Sequence, residues 1–413
     1  MRVFRGSGLW LGLALLAGCG KSAAPVDTGV DAAPHPSAVV TSAPPSAMAS
    51  ASAVPAEPRR WASKQTLVAP DGRAGDSFGA SVALRGDTLV VGAPLRDDTY
   101  RDSGAVYVFV RKDGEYRFEQ RLTGPDSAPA DQFGAGVAVD GDTILVGAPN
   151  HAKNGAYAGA TYVFVRHEGA YRFRQKLLSR GIGKFFGSTI ALRGDTVVVG
   201  AAGDYAEQGS AHVFVRQAGG FRLDQVLVPK AIPLGREGDF LNFGYAVALE
   251  GDALLVGAHY HADTRTPPGL VFAFFRRGER WVEGQLVAAS DSKMDDGFGQ
   301  TIAVAGRTMI VGGNRAAYAF ERGEAGWIER QRLAADGATR VALAAGGEVA
   351  VARGGYLWTR REGAFQVALR PDPAKGSSQQ IGDVVTADEE TIVVGVPEGS
   401  GKGAAYVLGP EGR

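Results

Sequence analysis

The feature that most constrains this chain is a set of four short phrases that recur in one order from Trp61 onward. The phrases are Phe-Gly with alternating small and apolar residues, an apolar run ending in Gly-Ala-Pro, a Tyr-Val-Phe-like segment, and an aromatic residue four positions before Gln. In the first unit they occupy residues 78–84, 89–94, 107–109 and 116–122. Alternation and short apolar runs are typical of strands. Each unit therefore predicts four strands.

The units recur seven times. The first phrase begins at Phe78, Phe133, Phe186, Phe243 and Phe298, and degenerate copies cover 339–345 and 381–387. The second and third phrases also occur seven times each. Intact Phe-Gly copies lie 53 to 57 residues apart, and the last two units are shorter. A fixed period of this length is typical of a repeat architecture.

The fourth phrase shows how the repeat ends. Its last, degraded copy begins at Phe365, and the missing seventh copy stands at the front of the array as Trp61, Gln65 and Leu67. An N-terminal strand that completes the last sheet leaves no open strand edge. The sequence therefore predicts an all-β fold over residues 59–410, a seven-bladed β-propeller with four-stranded blades closed by the N-terminal strand.

These Phe-Gly and Gly-Ala-Pro phrases resemble the FG-GAP repeat family, whose propellers include the head of integrin α subunits. The resemblance covers about 350 residues. It implies a propeller that binds other macromolecules or carbohydrates through its loops, usually in adhesion or surface roles.

The calcium loops of integrin-like repeats are missing here. Such a loop resembles Asp-x-Asp-x-Asp-Gly, because Ca²⁺ takes several oxygen ligands. The same connection is reduced to three residues in five units: 85–87, 140–142, 193–195, 250–252 and 305–307. These are predicted to be Gly-Asp hairpin turns. We expect no cofactor and carry no calcium site over. Two of the turns spell Arg-Gly-Asp, which we interpret as turn chemistry because Asp-Gly-Asp and Glu-Gly-Asp fill the same slot elsewhere.

The N-terminus reads as an export signal. Residues 1–18 combine basic Arg2 and Arg5 with an apolar run too short to span a bilayer. The segment 16–19, Leu-Ala-Gly-Cys, resembles a bacterial lipobox, so Cys19 is the predicted lipidation site; an ordinary signal peptide with an incidental cysteine is the alternative. Residues 19–58, rich in Ala, Pro and Ser, are predicted to be a flexible tether. Gly20 and Lys21 follow Cys19, with no Asp immediately after the cysteine, and the resemblance to the enterobacterial sorting pattern implies the outer membrane.

Charge and motifs exclude several partners. Lys plus Arg and Asp plus Glu both number 44, which gives a formal net charge of zero and no basic field for nucleic acid. There is no dinucleotide or phosphate-binding glycine loop and no Gly-x-Ser-x-Gly elbow. We therefore expect neither nucleic acid nor a nucleotide as partner, and no catalytic residues.

Metal binding has few candidates. Carboxylates of Asp97, Asp98 and Asp102 share one connection, and they read either as a cation site or, as we favour, as turn residues. His259 and His261 form a His-x-His pair that can bind zinc, but no second pair lies near in sequence.

A repeated acidic residue reads as structural. Asp76, Asp131 and Asp296 each stand two residues before a Phe-Gly, and a repeated position predicts a hydrogen bond to the turn.

Three functions remain open on these observations. The leading one is a membrane-anchored, non-catalytic module of the cell envelope that recognises an envelope or extracellular protein or a glycan through its loops. The second is a propeller hydrolase or lyase with Asp97, Asp102, His259 and Asp296 converging at one mouth of the ring. The third is a purely structural spacer.

Overall fold

The fold is known from a computed structural model. It describes residues 61–152, 157–179, 184–203, 208–230, 241–259, 269–293, 296–334, 340–343, 349–352, 356–361, 363–369, 384–388, 390–397 and 401–410. Within these ranges every regular element is a strand, and none of the described residues forms a helix that is long and apolar enough to cross a membrane.

Twenty-eight strands alternate with short connections in these ranges. They are β1 (Trp61–Leu67), β2 (Ser81–Arg85), β3 (Thr88–Ala93), β4 (Ala105–Lys112), β5 (Glu115–Leu122), β6 (Gly136–Asp140), β7 (Thr143–Ala148), β8 (Ala160–His167), β9 (Ala170–Leu177), β10 (Thr189–Arg193), β11 (Thr196–Ala201), β12 (Ser210–Gln217), β13 (Gly220–Leu227) and β14 (Phe243–Glu250). The second half comprises β15 (Ala253–Ala258), β16 (Leu270–Arg277), β17 (Arg280–Val287), β18 (Thr301–Ala305), β19 (Thr308–Gly312), β20 (Ala316–Gly323), β21 (Gly326–Ala334), β22 (Val341–Leu343), β23 (Val349–Ala352), β24 (Tyr356–Arg361), β25 (Ala364–Leu369), β26 (Val384–Asp388), β27 (Thr391–Val396) and β28 (Ala404–Pro410).

The described strands form seven antiparallel four-stranded sheets. Sheets one to six each take four consecutive strands, β2–β5 through β22–β25, and the seventh has the order β1-β28-β27-β26. In that last sheet Trp61 pairs with Pro410 and Leu67 with Ala405. First strands of successive sheets contact one another, and β26 contacts β2. The predicted all-β propeller with four-stranded blades is confirmed, as is completion of the last sheet by the N-terminal strand.

The core lies between neighbouring sheets. The second and third strands are buried on both faces, because each is covered by the sheet before it and the sheet after it. The phenylalanine of the Phe-Gly phrase is buried in every intact copy and meets a third-strand aromatic ring edge-on, as Phe78 does with Tyr107 at 5.4 Å. The first phrase thus supplies an anchor of the apolar core.

The glutamine of the fourth phrase joins each sheet to the next. Gln175 Nε2 donates to the Phe221 carbonyl oxygen at 2.6 Å, and Phe221 N donates to Gln175 Oε1 at 2.8 Å. The same paired bonds link Gln65 to Tyr116, Gln120 to Tyr171, Gln225 to Trp281, Gln285 to Trp327, and Gln331 to Phe365. Gln65 lies on the strand that completes the seventh sheet, so its bonds to Tyr116 link the seventh sheet to the first sheet.

Replacing Gln175 by leucine tests whether this pair of hydrogen bonds clamps neighbouring sheets together. We expect the free energy of unfolding to fall by about 2 kcal/mol, because the half-buried N–H and C=O of Phe221 lose their partners. The control is Gln217→Leu, whose side chain makes one exposed bond to Arg222, with an expected change within about 0.5 kcal/mol. Equal losses in the two variants, measured by urea unfolding, would contradict a clamping role.

Candidate ligand-binding face

The propeller has two loop faces. The upper face carries the connections between second and third strands and the residues leading into the next first strand. The lower face carries the tight turns between first and second strands and between third and fourth strands. A cavity of ≈ 210 Å³ is lined from all seven sheets, with Ser81, Ser188 and Thr301 among its polar residues. Another, of ≈ 250 Å³, is lined by the lower ends of first strands.

The three carboxylates of the first upper connection do not converge. Asp97 Oδ1 accepts a hydrogen bond from the Asp102 backbone N–H at 2.8 Å, and Asp98 Oδ1 pairs with Arg121 at 3.2 Å. The Asp102 carboxylate pairs with Arg101 at 3.4 Å. These contacts agree with the interpretation of the three as turn residues. Among the described residues, no group of three or more His, Cys, Asp or Glu side chains is arranged to hold a metal ion.

The histidine pair is described only in part, because His261 lies outside the described residues. The His259 ring packs edge-on against Tyr245, with centroids 4.2 Å apart, and its carbonyl oxygen accepts a bond from Asn242 Nδ2 at 3.2 Å. Zinc binding by the pair stays a prediction. Asp97 contacts the backbone of Asp102, His259 packs against Tyr245, and Asp296 contacts the backbone of Lys293. These contacts do not join Asp97, His259 or Asp296 to one another.

The repeated aspartates make the bond that the sequence predicts. One carboxylate oxygen of each accepts from the backbone N–H three residues earlier: Asp76 from Arg73 at 2.8 Å, Asp131 from Ala128 at 2.8 Å, and Asp296 from Lys293 at 2.6 Å. This prediction is confirmed, because the carboxylate closes the turn that leads into the Phe-Gly phrase.

In the first sheet this aspartate belongs to a larger ionic cluster. Buried Arg96 donates to Asp76 and to Asp71, both at 2.9 Å, and the Tyr107 hydroxyl donates to Asp71 at 2.7 Å. Burial raises the pKa of Asp71, but the Tyr107 bond and the guanidinium groups of Arg96 and Arg121 outweigh it and hold that pKa below its usual value. Burial, with the bond to Asp71, raises the pKa of Tyr107.

The second sheet repeats the cluster with different residues. His151 Nδ1 lies 2.9 Å from Asp131 Oδ2, and the Tyr162 hydroxyl donates to Asp126 at 2.9 Å. Lys176 Nζ donates to Asp126 at 2.5 Å. Burial and the bond to Asp126 raise the pKa of Tyr162. The sequence did not lead us to predict these clusters, although Asp71 and Asp126 each stand five residues before the repeated aspartate of their unit.

The fourth sheet fills two of the same positions with apolar residues. Leu241 stands two residues before Phe243, and Phe272 replaces the third-strand tyrosine; both are buried. The bonds of Arg96 to the Asp71 carbonyl oxygen and the Asp76 carboxylate join two upper segments, and a sister sheet has buried apolar side chains at two of the cluster positions, so support of the upper connections accounts for the ionic clusters. They do not require a ligand.

The two Arg-Gly-Asp turns lie on the lower face and are engaged by neighbouring sheets. Arg85 Nε pairs with Asp140 at 3.2 Å, and Gly86 N donates to Asp388 Oδ2 at 2.9 Å. Arg193 pairs with Glu250 at 2.8 Å. Only two residues separate β2 from β3, so the predicted short hairpin is confirmed. The inference that calcium does not bind there stays a prediction.

Exposed aromatic side chains are the feature of the upper face that the sequence reasoning missed. Tyr100 is 48% exposed, Tyr157 53% and Phe185 42%. Tyr157 and Phe185 contact each other, with ring centroids 6.0 Å apart. Aromatic rings that present one face to water are enriched in binding surfaces.

Four-stranded blades around a central cavity, with their most varied residues on the connections of one face, define a β-propeller. Comparison with known families matches the FG-GAP repeat at residues 61–109, 116–164 and 182–214, so these three segments are similar to that family. The chain is also 35% identical over 102 residues to Integrin alpha-2 of Bos taurus. That match covers 22% of this chain and 8% of the integrin.

Proposed function

We propose that this chain is a lipid-anchored, non-catalytic binding or scaffold module of the cell envelope, and that its upper face holds a protein or glycan partner. The observation that carries the proposal is the exposed aromatic surface at Tyr100, Tyr157 and Phe185 on a rigid framework. Nearby ionisable groups such as Arg96 and His151 are paired within the fold. Closure of the seven sheets into one seven-bladed ring over residues 59–410 belongs to the same proposal.

The hydrolase or lyase alternative is less well supported. General acid-base chemistry needs carboxylates or histidines within reach of one substrate. The described contacts of Asp97, Asp102 and Asp296 are with backbone N–H groups and arginines, which favours structural roles.

The anchor is tested by Cys19→Ala. We expect wild-type protein in the membrane fraction, with an acyl mass on the mature N-terminus, and the variant in the soluble exported fraction, because a diacyl anchor holds a protein on a bilayer stably. Membrane fractionation measures the location of each protein, and mass spectrometry of the mature N-terminus measures the acyl group. A variant that stays on the membrane would contradict anchoring through Cys19.

The binding face is tested by photo-crosslinking the full chain in its native membranes. A crosslinking residue replaces Tyr100 on the upper face or, as control, exposed Asp113 in a lower-face turn. We expect a specific partner from position 100 and none from position 113. The same yield from both positions, or none from either, would contradict an upper binding face.

A further inference from the structure

Tyr157 and Phe185 form an exposed aromatic pair on the upper face. Their ring planes meet at 43°, and the two residues are also joined through the backbone, because Phe185 N donates to the Tyr157 carbonyl oxygen at 2.8 Å. The Phe185 ring lies over Gly203 of the third sheet, where an added Cβ would be 3.2 Å from the ring. The pair is therefore held in place between the second and third sheets.

Both residues adopt a backbone conformation that bulky side chains disfavour. Tyr157 has φ 61° and Phe185 has φ 63°, in the left-handed region. The residue immediately before the Phe-Gly phrase is left-handed in five sheets, and apart from Phe185 it is Ser77, Gln132, Asn242 and Gly297. Two residues before the glycine that precedes the third strand, the first sheet has Asp102 at φ 51° where the second has Tyr157.

The backbone conformation does not require these aromatic rings. Sister sheets meet the same backbone requirement with Gly, Asn, Ser, Gln or Asp, and about half of each ring's residue surface stays in water. Residues held in sparsely populated backbone conformations cluster at functional sites. We propose, on the basis of the binding role proposed above, that the Tyr157–Phe185 pair is the stacking platform for a sugar ring of a neutral glycan.

Size favours a glycan over a protein surface. Two aromatic side chains at this exposure offer roughly 200 Å² together, whereas a stable protein interface takes about 800 Å² from each partner. A flat aromatic face of this area matches the apolar face of one or two pyranose rings, and the Tyr157 hydroxyl can orient the sugar through a hydrogen bond.

Charge favours a neutral ligand. The ionisable groups of the adjoining cluster are paired with one another, as in Lys176 with Asp126 and His151 with Asp131. The whole chain has a formal net charge of zero. No described cation of this cluster is left to recognise an acidic sugar.

The test uses two variants that copy the sister sheets, Tyr157→Asp and Phe185→Gln. Asp suits the left-handed region better than an aromatic residue does, and Gln132 already adopts it in the second sheet, so we expect an unchanged or higher melting temperature. The full chain in detergent is applied to immobilised neutral and acidic oligosaccharides, and the best neutral one is then titrated by calorimetry. Each variant is expected to bind at least about tenfold more weakly. The control Phe118→Gln removes an exposed ring on β5 and is expected to bind like wild type.

Loss of neutral-glycan binding in both variants, with the control intact, supports the proposal. Glycan binding that survives both substitutions overturns this site and leaves the binding module standing, and selective binding of acidic oligosaccharides overturns the neutral ligand. A protein crosslinked from position 100 with no glycan bound overturns the glycan and keeps the proposed function. If no glycan binds and no protein is crosslinked, both the glycan proposal and the proposed binding function are overturned.

Discussion

Replacing Gly147 by alanine is expected to lower the free energy of unfolding by at least about 3 kcal/mol, because the added methyl has no space. Gly147 belongs to the Gly-Ala-Pro phrase of β7. A Cβ there would lie 1.8 Å from the Gly187 carbonyl oxygen of the next sheet and 2.7 Å from its carbonyl carbon. Because these are backbone atoms, the sheets themselves must separate. The same approach recurs, with a Cβ 2.0 to 2.1 Å from a carbonyl oxygen, at Gly92, Gly200, Gly257 and Gly395.

Gly219→Ala is the matched control for this substitution. It adds the same methyl group at a turn where no heavy atom lies within 4 Å of the new Cβ. We expect a change within about 0.5 kcal/mol. Urea unfolding followed by tryptophan fluorescence measures both variants. If Gly147→Ala unfolds at the same urea concentration as Gly219→Ala, close approach of the sheets is not why the phrase contains glycine.

Most of the fold could be predicted from the sequence because its signals are local and repeated. The alternation in residues 78–84 and the early copy of the fourth phrase at Trp61 were enough to predict four-stranded blades and completion of the last sheet by β1. The role of the glutamine that follows each aromatic residue at a repeated spacing was not predicted. The backbone partner of each glutamine lies 34 to 56 residues further along the chain, so the hydrogen bond forms only when neighbouring sheets pack together.

In the candidate site, too, local contacts could be predicted from the sequence and other features could not. The turn bond of Asp76 was predicted correctly, because an aspartate that accepts from a nearby N–H does so within a few residues. The interpretation of Asp97 and Asp102 as turn residues stays a prediction. The aromatic pair was missed, since a positive φ leaves no trace in composition. Aligning the residue before each Phe-Gly would have shown Phe185 among Ser, Gln, Asn and Gly. Cys19 lies outside the described residues, and lipidation stays a prediction.

Arg96→Met is expected to lower the free energy of unfolding by about 3–5 kcal/mol, because it leaves a buried carboxylate without its cation. The Arg96 and Asp76 side chains are 6% and 5% exposed and lie 2.9 Å apart. The control Arg85→Met breaks a pair whose side chains are 43% and 20% exposed, and less than about 1 kcal/mol should be lost there. Thermal and urea unfolding of both variants give the comparison.

A double variant decides whether the loss comes from the stranded charge or from missing bulk. In the fourth sheet the position of Asp76 is held by buried Leu241, so this framework accepts an apolar residue there. Adding Asp76→Leu to Arg96→Met removes the unpaired carboxylate, and we expect the double variant to regain at least half of the lost free energy, since a buried ion pair replaced by packed apolar groups costs little. A double variant as unstable as Arg96→Met would instead mean that the arginine acts through its bonds to Asp71, and that the carboxylate of Asp76 matters only for closing its own turn.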